Sequence, residues 1–228
     1  MITDFLPFSL IDFPGKLSSV VYFAGCNLRC PYCHNPELVY PRDCVDRKKD
    51  FFSFLKSRKG LLEGVVLSGG EPTVGGDLLE VVNGIKDLGF SVKLDTNGTN
   101  PDVLSRLLSE NLVDYVAMDV KCGISRYTDF LGFKGNPEKI IKSIEVLKNS
   151  SVDFEFRCTV GSFTKMEDLF EIAQLVKGAK IFVIQQYVKN GKELIPNNFK
   201  KLDREELKKK ANFLREYVGK LLYRFYED

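Results

Sequence analysis

Residues 18–33 read SSVVYFAGCNLRCPYC, an apolar run followed directly by three closely spaced cysteines. The run Ser19–Ala24 is short, almost entirely apolar and rich in β-branched and aromatic residues, which is typical of a strand buried on both faces. Runs of the same kind predict five more strands, at Gly64–Ser68, Ser91–Asp95, Asp114–Val120, Asp153–Val160 and Lys180–Gln186. The cysteines therefore follow the carboxyl end of the first of six predicted strands.

The segments between these runs have the periodicity of helices. Two pairs with the spacing of a capping box mark helix starts, Thr164 with Glu167 and Asp203 with Glu206. Near the end of the chain, one helical face is predicted from apolar residues three or four positions apart, at Leu207, Ala211, Leu214, Val218, Leu221 and Phe225. Six alternations of strand and helix predict a single α/β domain over residues 1–228, with parallel strands and right-handed crossovers. Periodicity alone fits both an open doubly wound sheet and an incomplete barrel.

The composition is that of an ordinary globular protein. Of the 228 residues, 44% are hydrophobic and 28% are charged, and the net charge is +2. A nucleic-acid-binding surface is usually strongly basic, so we expect no nucleic-acid partner. No apolar run approaches the ~20 residues that span a bilayer, and the amino-terminal residues lack the pattern of a secretory signal. We therefore expect a cytoplasmic protein without a membrane partner.

Three of the six cysteines form the motif CxxxCxxC, at Cys26, Cys30 and Cys33. Three thiolates on one loop can bind one metal centre, and a cubane iron–sulfur cluster that normally takes four cysteines would keep one iron open. A structural zinc site completed by Cys44 or His34 is an alternative, although zinc ligands usually come as two separated pairs. Buried cysteines without a ligand are a second alternative.

Polar residues follow the other predicted strands at the same end, where barrel enzymes place their functional groups. The second strand leads into Ser68-Gly69-Gly70-Glu71-Pro72 and the third into Asp95-Thr96-Asn97-Gly98. Asp119 with Lys121, Arg157 and Gln185 lie near the ends of the remaining strands. Taken singly, these patterns also fit tight turns, a simple Asp119–Lys121 ion pair and a surface-directed Arg157.

Together the motifs resemble the radical S-adenosylmethionine (SAM) superfamily, across nearly the whole chain. The resemblance implies a partial (β/α)6 barrel with parallel strands, and a [4Fe–4S] cluster on Cys26, Cys30 and Cys33 whose open iron chelates the methionine part of SAM. It further implies that Asp95, Thr96 and Asp119 help to hold a monovalent cation. It implies contact with the cofactor for Tyr32, Asn35, Gly69, Gly70, Glu71, Pro72, Asp95, Thr96, Asn97, Asp119, Lys121, Arg157 and Gln185.

The segment Phe8–Gly15 resembles the start of glycyl-radical activating enzymes, most closely those of anaerobic ribonucleoside-triphosphate reductases, with the pyruvate formate-lyase activases as cousins. Residues Arg126–Gly132 resemble the substrate-side segment of this group. The implied partners are a glycyl-radical enzyme as substrate and a flavodoxin or ferredoxin as electron donor. Two alternatives stay open: an enzyme for a small heterocycle, similar to 7-carboxy-7-deazaguanine synthase, and a non-catalytic zinc or electron-carrier module.

Overall fold

A computed structural model describes residues 1–41, 44–189, 191–196 and 198–226. Over these residues the chain forms one sheet of eight strands in the order β1 to β8. The strands are Ile2–Ser9 (β1), Ser18–Phe23 (β2), Gly64–Gly69 (β3), Ser91–Thr96 (β4), Tyr115–Asp119 (β5), Asp153–Val160 (β6), Ile181–Gln186 (β7) and Lys220–Arg224 (β8). Strands β2 to β8 pair in parallel, and β1 pairs antiparallel with β2. All six predicted strands are confirmed, as β2 to β7.

Helices follow the parallel strands and cover the outer face of the sheet. They are Pro36–Val39 (α1), Lys48–Ser57 (α2), Leu78–Asp87 (α3), Pro101–Ser109 (α4), Tyr127–Leu131 (α5), Glu138–Lys148 (α6), Met166–Leu175 (α7) and Arg204–Ala211 (α8). Apolar side chains of the helices and outward-facing strand residues form one large core cluster. No helix in the described ranges has both the length and the apolar character needed to cross a bilayer.

One of the two predicted capping boxes is present. Asp203 accepts a hydrogen bond from the backbone N–H of Glu206 (2.8 Å), and Glu206 accepts one from that of Asp203 (2.9 Å). The prediction for Thr164 with Glu167 is wrong, because the Thr164 hydroxyl accepts a hydrogen bond from the N–H of Gly161 (3.1 Å). A side chain engaged in this preceding turn is not available to cap α7.

The predicted helical face over the last apolar residues is also wrong. Helix α8 ends at Ala211, a 3₁₀ turn follows, and Lys220–Arg224 forms strand β8 beside β7. Gly219 lets the chain enter β8 close to the backbone before β7. A Cβ at this position would lie only 3.0 Å from the carbonyl oxygen of Lys180. The open edge of β7 provides backbone partners that outweigh the helical spacing of the side chains.

The sheet curves into an incomplete barrel that is plugged at the amino-terminal end of its strands. Phe13, from the β1–β2 loop, packs there against Val20, Val66, Tyr115 and Ala117 in a separate apolar cluster. Because β1 and β8 are the two edges of the sheet, the barrel is open between them. The partial barrel is confirmed, and the Phe13 cluster fills its interior at the amino-terminal end of the strands.

Candidate cluster and cofactor site

The three cysteines of the motif line a cavity of about 130 Å³ at the carboxyl end of the barrel. The rest of its lining comes from predicted residues at the strand ends: Ser68, Gly69, Gly70, Glu71, Asp95, Thr96, Asn97, Asp119, Lys121 and Arg157. A larger cavity of about 770 Å³ shares Cys30 and Cys33 and extends to Tyr32, Asn35 and Gln185. Of the predicted site residues, Pro72 lines neither cavity. The structure therefore brings the predicted set together.

Burial changes the acidity of the three thiols. It raises the pKa of Cys30 to about 12 and also raises the pKa values of Cys26 and Cys33. Metals bind cysteine as the thiolate. The apolar surroundings oppose deprotonation of these three thiols, whereas a metal centre bound to them would favour it. In the described ranges, no group of three or more His, Cys, Asp or Glu side chains is arranged to hold a single metal ion. Cys44 lines a different cavity, together with Thr3 and Asp4.

Arg29 fixes the conformation of the cysteine loop. Its guanidinium donates hydrogen bonds to the carbonyl oxygens of Cys26 (2.6 Å) and Leu28 (2.7 Å). The same group lies 4.3 Å from the ring centre of Tyr40. The backbone N–H of Arg29 donates to the carbonyl oxygen of Leu131 (2.6 Å), at the end of α5. The loop between the first two cysteines is therefore attached to the segment that follows β5.

The two glycines after β3 allow this segment to pack directly on the cysteine loop. Gly69 has φ +114°, and a Cβ at Gly70 would lie 2.1 Å from the carbonyl oxygen of Gly25. The N–H of Gly70 donates to Phe23 (2.8 Å), and the N–H of Glu71 donates to Gly25 (2.8 Å). Any side chain at Gly70 would separate the two loops.

Glu71 is 1% exposed, and its carboxylate is fully used inside the protein. It accepts hydrogen bonds from the hydroxyls of Thr73 (2.5 Å) and Thr96 (2.7 Å) and from the backbone N–H of Asn97 (2.6 Å). Burial raises its pKa, while these donors stabilise the charged form. The side chains of Glu71 and Thr96 therefore join the loops after β3 and β4. At these two residues, a ligand would be contacted by the backbone rather than by the side chains.

Asn97 extends this connection to the cysteine loop. Its amide nitrogen donates to the side-chain oxygen of Asn27 (3.0 Å) and lies 3.9 Å from the sulfur of Cys26. Asn27 in turn donates to the hydroxyl of Thr99 (2.8 Å). Asn97 is thus the predicted residue that links the strand-end loops to a cysteine of the motif.

Five charged side chains form a continuous ladder across the barrel interior. Asp95 pairs with Lys93 and lies 3.4 Å from Arg157, whose guanidinium also bonds Asp119 (2.7 Å). Asp119 pairs further with Lys121 (3.0 Å). The Asp119–Lys121 pair considered from the sequence exists, but as one part of this ladder. Arg157 points into the interior, so the surface-directed alternative is wrong.

The ladder keeps both carboxylates ionised. Burial alone would raise the pKa of Asp119, but Arg157 and Lys121 hold that pKa well below its usual range. In the same way Arg157 and Lys93 outweigh burial and lower the pKa of Asp95. Three cations face two carboxylates, so the ladder carries one positive charge in excess and favours an anionic group in the cavity.

An aromatic group surrounds Tyr32, between the last two cysteines. The ring of Tyr32 stacks on Phe163 with centroids 4.5 Å apart, and Phe130 and Tyr187 lie at 6.0 and 6.4 Å. The Tyr32 hydroxyl is buried and has no hydrogen-bond partner among the described residues. This packing holds the Cys30–Cys33 turn against the barrel.

Lys93, Glu155 and Arg224 are interior charged residues that sequence reasoning missed. Glu155, near the start of β6, accepts hydrogen bonds from Arg224 (2.8 Å) and the Tyr115 hydroxyl (3.2 Å). The signal was present in the strands themselves, since charges two positions apart, such as Lys93 with Asp95, occupy one face of a strand. Two charged residues on one face of an otherwise apolar strand indicate that this face lines a polar part of the barrel interior.

Comparison with known proteins identifies the family of the chain. Residues 20–176 match the family model described as the Radical SAM superfamily. The chain belongs to this superfamily, and it is therefore an enzyme of a family that uses a [4Fe–4S] cluster and SAM. This membership decides against the non-catalytic alternative.

Within the superfamily, the chain is 34% identical to the "Putative glycyl-radical enzyme activating enzyme MJ1227" of Methanocaldococcus jannaschii, over 98% of this chain and 95% of that protein. It is 27% identical to a 7-carboxy-7-deazaguanine synthase of Thermococcus kodakarensis, over 72% of each chain. The crystal structure of Streptococcus suis SuiB bound to precursor peptide SuiA shares the fold, with a TM-score of 0.70 and 16% identity over 90% of this chain. The match spans about half of SuiB, 48% of its chain.

Proposed function

We propose that this enzyme activates a glycyl-radical enzyme, most specifically an anaerobic ribonucleoside-triphosphate reductase, in the cytoplasm. The observation that carries the proposal is that the two cavities share Cys30, Cys33 and four residues of the charged ladder, and that the larger one is also lined by residues next to both edges of the sheet. The similarity to the M. jannaschii protein over almost the full length of both chains supports the same function.

In this proposal Cys26, Cys30 and Cys33 hold the cluster. When bound, the reduced cluster supplies the electron that splits SAM into methionine and a 5′-deoxyadenosyl radical, which removes a hydrogen atom from the substrate. The excess positive charge of the ladder would orient the carboxylate of SAM, through Lys121 and Arg157. The backbone of Gly69 and Gly70 would lie against the methionine part, where a side chain would obstruct it.

The opening of the barrel suits a large substrate. On the β1 side, the rim of the larger cavity includes Ile11, which is 86% exposed, and the neighbouring Leu10 is 73% exposed. On the β8 side the cavity is lined by Tyr223 and Phe225. A loop of a partner protein could enter between these edges, and a glycine at its tip would offer a Cα hydrogen without an obstructing side chain.

A second candidate function is the modification of a small heterocycle. The similarity to 7-carboxy-7-deazaguanine synthase favours it, as does the interior Glu155–Arg224 pair, since Arg224 lines the larger cavity and carries hydrogen-bond donors suited to a small polar ligand. The two candidates differ in the source of the abstracted hydrogen.

The test follows deuterium into 5′-deoxyadenosine. Anaerobically reconstituted enzyme, reduced by flavodoxin or ferredoxin, is mixed with SAM and either the partner enzyme carrying α-dideuterated glycine or a deuterated small heterocycle. We expect deuterium transfer from the partner and a glycyl-radical signal in its EPR spectrum. A partner with alanine in place of the radical glycine is the matched control. Transfer from the heterocycle alone would overturn the proposal.

A further inference from the structure

Lys93 is a buried cation beside the site at which the family resemblance implies a monovalent metal ion. It lies in the middle of β4, is 2% exposed and pairs with Asp95 in the barrel interior. Asp95 and Asp119 are the two carboxylates that the resemblance assigns to the ion. The arrangement of cations around them therefore decides whether such an ion fits.

Every oxygen of the two carboxylates already has a cationic neighbour. Asp95 Oδ1 pairs with Lys93 Nζ, and Asp95 Oδ2 faces Arg157 Nη1 at 3.4 Å. Asp119 Oδ1 accepts from Arg157 Nε (2.7 Å), and Asp119 Oδ2 accepts from Lys121 Nζ (3.0 Å). Arg157 thus bridges the two carboxylates, and Lys93 and Lys121 occupy the outer sides.

A metal ion would add a fourth cation to this ladder. Within the ladder, three cations and two carboxylates already leave one positive charge in excess. Glu71, the other carboxylate in the cavity lining, is enclosed by hydrogen-bond donors from Thr73, Thr96 and Asn97. A further cation next to Asp95 and Asp119 would therefore be repelled by the three cations of the ladder and would find no unpaired carboxylate oxygen. The hydroxyl of Thr96, a predicted ligand of the ion, donates to Glu71 (2.7 Å), and its oxygen accepts a hydrogen bond from the N–H of Gly98 (3.2 Å). The residues present therefore do not fit a sodium or potassium ion.

We infer that Lys93 supplies, as a fixed side chain, the charge that a monovalent cation would supply next to Asp95. The binding of SAM by this enzyme is consequently independent of sodium and potassium. Lys93 is a positioning residue, since it touches Asp95 rather than a reacting atom. The inference rests on the cofactor site of the proposed function, but not on the identity of the partner enzyme.

The test compares SAM binding in buffers whose only monovalent cation is choline with binding after addition of potassium or sodium. Wild-type protein should bind SAM with the same affinity, within twofold, in all three. Lys93→Met should lose at least tenfold in affinity in choline and recover most of it with potassium or sodium. Lys86→Met, which removes a cation paired with Asp114 at the protein surface, is the matched control and should behave as wild type.

Direct ion binding provides a readout besides cofactor affinity. Thallous ion, followed by its NMR signal, should bind Lys93→Met but neither wild type nor the double variant Lys93→Met/Asp95→Asn, which removes both charges. Thallous binding to wild-type protein that Asp95→Asn abolishes would overturn the inference. So would a Lys93→Met variant that binds SAM normally in choline. Failure of every variant to bind SAM would instead refute the proposed cofactor site.

Discussion

The two ends of the barrel interior are built from the same strands but have opposite chemistry. On β5, Tyr115 and Ala117 belong to the apolar plug, and Asp119, two residues further on the same face, belongs to the charged ladder. The plug consists of five apolar or aromatic side chains and meets an ion pair through the Tyr115 hydroxyl, which donates to Glu155 beside Arg224. The ladder, in contrast, consists of five charged side chains in contact. Along the inward face of β5, the side chains thus change from apolar to charged between Ala117 and Asp119, which are neighbours on that face.

This difference suggests a division of labour between the ends. Burying the apolar plug stabilises the fold, because each large side chain removed from water contributes ~1.5–3 kcal/mol. Buried ion pairs contribute little net stability, because desolvation offsets their attraction. We therefore expect changes at the plug to affect folding, and changes at the carboxyl end to affect cofactor binding and catalysis.

The largest effect should come from Cys30→Ala. With two sulfurs left, we expect the cluster, measured as bound iron and sulfide after anaerobic reconstitution, to be lost together with all SAM cleavage. The melting temperature of the cluster-free protein should change little by comparison. Cys44→Ala is the control, because Cys44 lines a different cavity. Retention of a catalytic cluster by Cys30→Ala would break the assignment of function to this end.

The second effect is expected at the plug. Phe13 is 2% exposed, and its ring packs directly on the backbone of Gly64, where a Cβ would lie 2.8 Å away. Phe13→Ala should lower the free energy of unfolding by about 3–5 kcal/mol, as is typical for a large core side chain. Urea denaturation measures this loss, and Phe170→Ala, at an exposed position, is the control. A tenfold loss of SAM affinity in folded Phe13→Ala would contradict the division between the ends.

The six inner strands could be predicted because each is buried on both faces and is therefore mostly apolar. The edge strands could not. Strand β1 reads ITDFLPFS, in which Thr3, Asp4 and Pro7 interrupt the apolar residues, so it lacks the continuous apolar run of the inner strands. The apolar residues in and before β8 have the spacing of a helix, and the strand forms because its backbone pairs with β7. Edge strands depend on tertiary partners that the local sequence does not contain.

The candidate site was predicted as a set of positions but not as a set of contacts. The cysteine motif and the strand-end loops indicated which residues would meet, because parallel strands end at the same side. The sequence did not show that Glu71 serves the loops rather than the cavity, since its hydrogen-bond donors come from two separate segments, the loops after β3 and β4. Nor did it identify Lys93, whose partner is evident only when the strand face is considered.

The smallest expected effect is on the pH dependence of stability, which should differ between the two ends. The pKa values of Asp95 and Asp119 are lowered in the folded protein. As the pH falls below about 4, the unfolded chain therefore binds more protons at these two groups than the folded chain does. Stability that is present above the usual aspartate pKa of about 3.9 should be lost as the pH falls, at up to ~1.4 kcal/mol per pH unit for each carboxylate. Above pH 5 these two groups should contribute no slope.

Urea denaturation between pH 2.5 and 6 of the cluster-free protein measures this acid dependence. Asp119→Asn should make the acid slope shallower by up to one proton, because one of the two carboxylates no longer titrates. Phe13→Ala should lower the whole curve and leave its slope unchanged, since the side chain that it removes does not titrate. The exposed Asp50→Asn controls for the general loss of an acidic group. An unchanged slope in Asp119→Asn would mean that the ladder does not hold this carboxylate ionised, and the charge contrast between the two ends would then have to be abandoned.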